Sequence, residues 1–276
     1  MIPLLTIKNL TLKIRHSEIN LVQNINLSLF KNQITALIGA SGSGKTLIAR
    51  SIMGLLPPNI VVSQGQILYN QHDILQLNEN QKNTLRGNKI AMIFQDPSSH
   101  LNPTMPIGKQ IAEGLIYKQH LTKKRAKDKV FELLEITQIA NPSHRYKHYP
   151  HQFSGGEKQR IMIAMALAMD PDVLIADEPT TALDSITQKK LLILLQSLQK
   201  QMGLSILFIT HDLKIIKSFA ANGFVLHEGS IIEQGNIQDL FTKPTTLLTK
   251  QLLKSAFFKI TPKDYNQKEH LTHAID

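Results

Sequence analysis

The sequence contains no cysteine, which excludes a disulfide framework, a zinc ribbon and a cysteine-ligated iron–sulfur cluster. It also lacks any apolar run near the roughly 18 residues that read as a membrane span. Even Ile161 to Met169 is short, and Arg160 and Asp170 flank it. The first residues, MIPLLTIKNL, have no charged region followed by a long apolar one, so no signal peptide is expected and the chain is expected to stay in the cytoplasm. No internal repeat occurs. What is present is 276 residues, 42% hydrophobic and 19% charged, the balance of a globular protein with a sizeable core. Lys and Arg number 31 against 21 Asp and Glu, a net charge of +10, which suits nucleic acid, an anionic membrane surface or an ordinary basic protein. Part of that excess, Lys118, Lys123, Lys124, Arg125, Lys127 and Lys129, adjoins Val130, Phe131, Leu133 and Leu134. That pattern reads as the solvated face of one helix.

Short β-rich runs alternate with helical patterns. Ile34 to Ile38, Ile90 to Phe94, Val173 to Ala176 and Ile206 to Ile209 predict buried strands of a parallel sheet. From about 110 to 170 no such strand occurs. Ile111 to Tyr117, Lys123 to Ile136 and Glu157 to Met169 predict helices there, so a helical subdomain is inserted in the sheet. Leu191 to Met202 carries a leucine stripe closed by Gly203, which predicts a helix packed on the sheet and ended by a glycine cap. After about Phe257 periodicity is lost and a frayed polar tail is expected.

Gly39-Ala40-Ser41-Gly42-Ser43-Gly44-Lys45-Thr46 is a complete GxxxxGK[ST] between the strand ITALI and the helical pattern LIARSIMGLL. Its glycines let backbone N–H groups turn inward around phosphate oxygens. Lys45 carries charge to the β- and γ-phosphates, and Thr46 can ligate magnesium. Val173 to Ala176 ends in Asp177 and Glu178, where the sheet delivers two carboxylates beside that loop. Asp177 suits the metal, held through water, and Glu178 the attacking water. Ser154-x-x-Glu157 before an apolar helix is a capping box, and a helix end so built with two glycines is an anion site.

Ser154-Gly155-Gly156-Glu157-Lys158-Gln159-Arg160 also resembles the signature motif of ATP-binding cassette (ABC) ATPases. Gln95 after KIAMIF resembles the superfamily's Q-loop, Ala182-Leu183-Asp184 its D-loop, and His211 after SILFIT its switch histidine. The resemblance runs from the first strand to about Lys254. It implies an α/β P-loop cassette over 1–256 with a mainly parallel core sheet, an N-terminal antiparallel β part and the inserted helical subdomain, followed by a tail over 257–276. It further implies ATP and Mg2+ held between two cassettes. Gly39, Ser41, Gly42, Gly44, Lys45 and Thr46 of one would face Ser154, Gly155, Gly156, Glu157 and Asp184 of the other. Thr46, Gln95 and Asp177 would serve the metal; Glu178, His211 and Gln95 would serve hydrolysis. Two positions depart from the family pattern. Glu157 stands where Gln is more common, bringing a carboxylate near the ligand unless the cap turns it away. Ile14 stands where an aromatic ring stacks on adenine, with His16 the one ring nearby, so stacking is expected to be weak or replaced.

Leu85-Arg86-Gly87 and the run from Phe94 through Leu101-Asn102-Pro103-Thr104-Met105-Pro106-Ile107 to Ile111 resemble the dipeptide, oligopeptide and nickel importer ATPases, specifically the first of their two paralogous cassettes. The resemblance implies a paralogous second cassette, two transmembrane permease subunits, an extracytoplasmic solute-binding protein, no nucleic acid, and a place on the cytoplasmic face of the membrane. Gln95 to Ile111 would face the permease, with Ser98 and Ile107 in the contact. The short, cysteine-free C-terminal region is closer to the nickel and metallophore cassettes than to the oligopeptide ones. His144, His148 and His151 have a spacing that would suit a metal on one helix face, but Pro142 and Pro150 flank them. A DNA-repair or ribosome-associated ABC ATPase is the alternative. Repair heads separate Q-loop and signature by a very long coiled coil, whereas 58 residues lie between Gln95 and Ser154. Ribosome-associated members generally fuse two cassettes. An exporter ATPase shares the catalytic motifs and is disfavoured by the LNPTMPIGKQI resemblance.

Overall fold

The computed structural model describes residues 2–257 and contains two sheets. The first is antiparallel, ordered β2-β1-β4-β5, from β1 (Leu5–Ile14), β2 (Asn20–Leu29), β4 (Ile60–Tyr69) and β5 (His72–Asp73). The second comprises β3 (Ile34–Ile38), β6 (Ile90–Ile93), β7 (Val173–Asp177), β8 (Ser205–Thr210), β9 (Asn222–His227) and β10 (Ser230–Asn236), in the order β10-β9-β3-β8-β7-β6. Its pairings are parallel except at β10. Every residue of β3, β7 and β8 is buried, which is why these strands read as unbroken apolar runs rather than alternating ones. Strand β1 has a more mixed pattern, as expected where one face is partly solvated.

Helix α1 (Lys45–Met53) follows β3, and α2 (Glu79–Leu85) precedes β6. Between β6 and β7 stands the helical block: α3 (Pro97–His100), α4 (Ile107–Tyr117), α5 (Lys123–Ile136), α6 (Pro142–Arg145) and α7 (Gly155–Leu167). The remaining helices are α8 (Ser185–Met202), α9 (Leu213–Ile216), α10 (Ile237–Thr242) and α11 (Leu247–Phe257). One core joins the block to the sheet through residues such as Ile107, Leu134, Ile163, Leu195 and Phe208. A second joins the two sheets across α1, with Leu10, Val22, Leu37, Ile48 and Ile175 among its members.

The expected strands are all present, and α8 ends at Gly203 in the left-handed conformation (φ 66°) as its sequence implies. Several boundaries differ. The helical block begins near 97 rather than 110, and α4 starts at Ile107, because the buried Gln110 side chain locks the preceding loop. Its Oε1 accepts from Asn102 N–H (2.9 Å), and its Nε2 donates to the Asn102 and Met105 carbonyls (2.9 and 2.7 Å). Helix α8 begins two turns before its leucine stripe, since Asp184 caps it at Ser185. Lys118 does not share a face with the lysines of α5. It caps the end of α4 and donates to the Arg86 carbonyl at 3.1 Å. Phe257 belongs to α11 rather than to a tail; the rest of the expected tail lies outside the described residues.

Candidate active site

The loop after β3 turns through Gly42 (φ 79°) and Gly44 (φ 104°), conformations that a side chain at either position would strain. Lys45 opens α1 and is buried. Its ammonium donates to the Gly39 and Ala40 carbonyls (2.9 and 2.8 Å) and lies 3.7 Å from Glu178 Oε1. Burial pulls the Lys45 pKa below its ordinary value, opposed by the charges of Glu178 and Asp177. The buried Ser43 hydroxyl oxygen has no hydrogen-bond partner, which fits a loop whose inner face takes an external polar group. The loop is braced from outside: Gly229, in the β9–β10 turn, donates its N–H to the Ser43 carbonyl (3.1 Å) and accepts from Gln23 N–H (2.7 Å).

Asp177 and Glu178 leave β7 in different directions. Asp177 is buried, and its Oδ1 accepts from the Thr46 hydroxyl at 3.3 Å. Burial raises its pKa, with the Thr46 bond opposing. Glu178 adopts φ 46°, a left-handed conformation costing a non-glycine residue about 1–2 kcal/mol. Its carboxylate gathers four partners: the Thr181 hydroxyl (2.9 Å), His211 Nδ1 (3.2 Å), Gln95 Nε2 (3.5 Å) and Lys45 Nζ (3.7 Å). Burial pushes the Glu178 carboxyl up, but the bonds from His211 and Thr181 and the charges of His211 and Lys45 outweigh it and hold the carboxyl below its usual range. Lys45, Thr46, Asp177, Glu178, Gln95 and His211, scattered over the sequence, therefore form one connected cluster. Thr181 was not anticipated; its position three residues after Glu178 is the only signal the sequence offers.

The residues fit a magnesium nucleotide. A hydroxyl and a buried carboxylate are hard oxygen donors. Two such donors leave coordination positions that phosphates and water can fill.

Ser154 to Glu157 form a second, separate group. Ser154 caps α7 in a complete capping box: Glu157 N–H donates to its hydroxyl (3.3 Å), and Ser154 N–H donates to Glu157 Oε2 (2.9 Å). The other oxygen, Oε1, lies 3.2 Å from the Arg145 guanidinium. The carboxylate is thus turned back onto its own helix. A Cβ on Gly156 would stand 2.5 Å from Thr187 Cγ2, whereas one on Gly155 would meet only Leu183 Cδ2 at 4.0 Å. The signature end of α7 therefore rests on the start of α8, where Asp184 accepts from the Ile186 and Thr187 N–H groups (both 3.1 Å). Those bonds, led by the Thr187 side chain, hold the Asp184 carboxyl below its usual range. None of the hydrogen bonds or ion pairs of Ser154–Glu157 reaches the phosphate loop among the described residues. One chain thus holds two separate groups, the cluster on Glu178 and the Ser154–Glu157 end of α7.

Ile107 departs from the expected surface position. Ile107 is fully buried and its N–H donates to the His148 carbonyl (2.9 Å), so it is core and not surface. Ser98 is exposed and accepts from Lys158 Nζ (3.3 Å), linking the segment after Gln95 to α7. Arg86 is bound to the end of α1, donating to the Met53 and Gly54 carbonyls (2.7 and 3.0 Å). Helix α6 stops at Arg145, so His144, His148 and His151 share no helix face; His144 and His148 meet edge to face at 4.8 Å. Ile14 ends β1 half-buried, and His16 is exposed in the following turn at φ 60°.

Residues 22–181 match the ABC transporter family. The oligopeptide transport ATP-binding protein OppD of Bacillus subtilis is 42% identical over 91% of this chain and 71% of its own. The dipeptide transport ATP-binding protein DppD of the same organism is 43% identical over 85% and 70%. Among solved structures, CbiO1 of Clostridium perfringens, part of the ABC transporter complex CbiONQ, superposes with a TM-score of 0.77 at 28% identity, covering 97% of this chain and 99% of that one. A dimeric ATP-binding cassette in a post-hydrolysis state bound to ADP and Pi gives a TM-score of 0.74 at 27% identity, over 84% and 98%.

Proposed function

The chain belongs to the ABC transporter family, and we propose that it is the ATP-hydrolysing subunit of a peptide importer, working as one half of a cassette pair. The observation that carries the chemistry is the convergence on Glu178 of Lys45, Gln95, His211 and Thr181. Lys45 and the loop N–H groups would hold the β- and γ-phosphates, a phosphate oxygen replacing the Gly39 and Ala40 carbonyls at the ammonium. Thr46 and Asp177, with Gln95, would hold Mg2+, which neutralises phosphate charge when bound. Glu178 would take the proton of the attacking water as the new O–P bond forms and the β–γ bridging P–O bond breaks, giving ADP and phosphate. His211 and Thr181 keep that carboxylate aimed and ionised beforehand.

The separation of the signature end of α7 from the phosphate loop supports the paired arrangement, because each half-site is complete only when another cassette supplies the missing one. The peptide reading rests on the named relatives, OppD and DppD; their names refer to peptides rather than nickel. Two permeases and a solute-binding protein follow from that reading, as does attachment to the cytoplasmic face of the membrane. No helix among the described residues is long and apolar enough to cross a membrane. The exposed Ser98 and Asn102–Thr104 surface, rather than Ile107, then becomes the part of this segment available to a permease.

Lys45→Ala tests the site. It removes the charge facing the phosphates and should abolish ATP binding and turnover while the permeases still co-purify. Wild-type ATP affinity in that variant refutes this placement of the phosphates. Recovery of nucleic acid and no membrane protein with the full-length chain refutes the importer.

A further inference from the structure

Glu157 puts a carboxylate at the third residue of α7, at the end of the helix where the proposed site takes phosphate. Capping alone does not remove its charge. The nearest cations in sequence turn away from it: Lys158 donates to Ser98, and Arg160 to the Gln138 carbonyl (3.1 Å). Arg145 reaches it instead, from another helix. Its guanidinium stands 3.2 Å from Glu157 Oε1 and 4.9 Å from the centre of the Phe153 ring. Both charged side chains are 27% exposed, so the pair is only partly screened by solvent. With Oε2 engaged by Ser154 and Oε1 by Arg145, neither oxygen of the carboxylate is left to face an incoming anion.

We infer that Arg145 is a positioning residue for the nucleotide. By pairing with Glu157 it cancels the negative charge at the signature end of α7, so that the helix dipole and the exposed Gly155 backbone present a net positive end to a triphosphate. A glutamate at this position thereby behaves like a neutral hydrogen-bonding residue. The inference rests on the proposed reading of the signature as a phosphate-facing surface.

The test is steady-state MgATP turnover by the complex recovered with the full-length chain from its own membrane. Arg145→Ala should raise KM for ATP about fivefold, the upper range for a partly exposed pair, and the increase should shrink at high ionic strength. In the Glu157→Gln background, where an amide oxygen still caps Ser154 N–H and no charge needs cancelling, adding Arg145→Ala should change KM by less than about twofold. Arg145→Lys keeps the charge and should stay near wild type; a thermal melt of each variant checks folding. An unchanged KM in Arg145→Ala, or an equal rise in the Glu157→Gln background, overturns the inference and assigns Arg145 to packing on Phe153. Absence of turnover in the wild-type complex overturns the functional reading and this inference with it.

Discussion

Gly155 and Gly156 are adjacent and look interchangeable, yet the structure sets them apart. A methyl group at 156 would lie 2.5 Å from Thr187 Cγ2, about 1 Å or more inside the roughly 3.5–4.0 Å optimum for carbon atoms. Thr187 sits in the first turn of α8, where its backbone N–H is bonded to Asp184 (3.1 Å), so the helix start cannot simply move away. Overpacking of this kind costs about 1–3 kcal/mol, offset by about 1 kcal/mol for replacing glycine by alanine within a helix. Gly156→Ala should therefore destabilise the protein by up to about 2 kcal/mol, lowering Tm by up to about 6 °C for a chain of this size. It should also weaken ATP turnover by lifting α7 from α8. Gly155→Ala meets no overlap and should leave Tm level or higher. Removing Cγ2 while keeping the hydroxyl, in Gly156→Ala/Thr187→Ser, should restore most of the loss. Calorimetry of the four proteins decides it: equal damage from both glycine substitutions, or no recovery in the double variant, refutes the reasoning.

Glu178→Gln keeps the side chain's size but cannot take a proton from water. MgATP turnover should fall by at least ~10²-fold while ATP binding persists, and turnover within about twofold of wild type would remove Glu178 from that role. In β10, Glu233 accepts from Thr245 N–H (2.7 Å) and from Thr246 N–H and hydroxyl (3.1 and 2.9 Å), anchoring the start of α11. Burial pushes its carboxyl up, but these bonds and one from Thr249 outweigh it and hold the pKa at about 2, against an ordinary 4.5. Since the folded value is the lower one, the stabilisation is complete above the ordinary value and disappears as pH falls toward 2. Glu233→Gln should cost about 1 kcal/mol at neutral pH, after discounting for solvent screening, and the gap to wild type should narrow steadily in acid. Amide exchange in α11 measures it, and a gap independent of pH would show that the threonine bonds do not stabilise the helix.

The buried strands were legible because a sheet covered on both faces favours near-continuous apolar runs, so β3, β7 and β8 announce themselves as ITALI, VLIAD and SILFIT. The phosphate loop and the capping box were legible because each demands special residues at fixed spacing. Long-range pairings were not. That Lys158 would donate to Ser98, or Arg145 to Glu157, depends on how separate elements dock, and no local period records it. Ile107 shows the converse failure. A residue in a Pro- and Asn-rich segment reads as surface, but Gln110 folds that loop back over its own helix and Ile107 is driven into the core.

The β9–β10 turn ties together three parts that the chain order keeps apart. Through Gly229, one peptide unit receives Gln23 N–H from the antiparallel sheet, and the adjoining one donates to Ser43 of the phosphate loop. A Cβ there would stand 2.5 Å from the Leu21 carbonyl oxygen, so the approach is at its closest limit. Mechanically, the antiparallel sheet, the phosphate loop and the final hairpin form a single lever arm with no slack at its joint. A large rotation of one against another would have to stretch or break a backbone hydrogen bond at this turn.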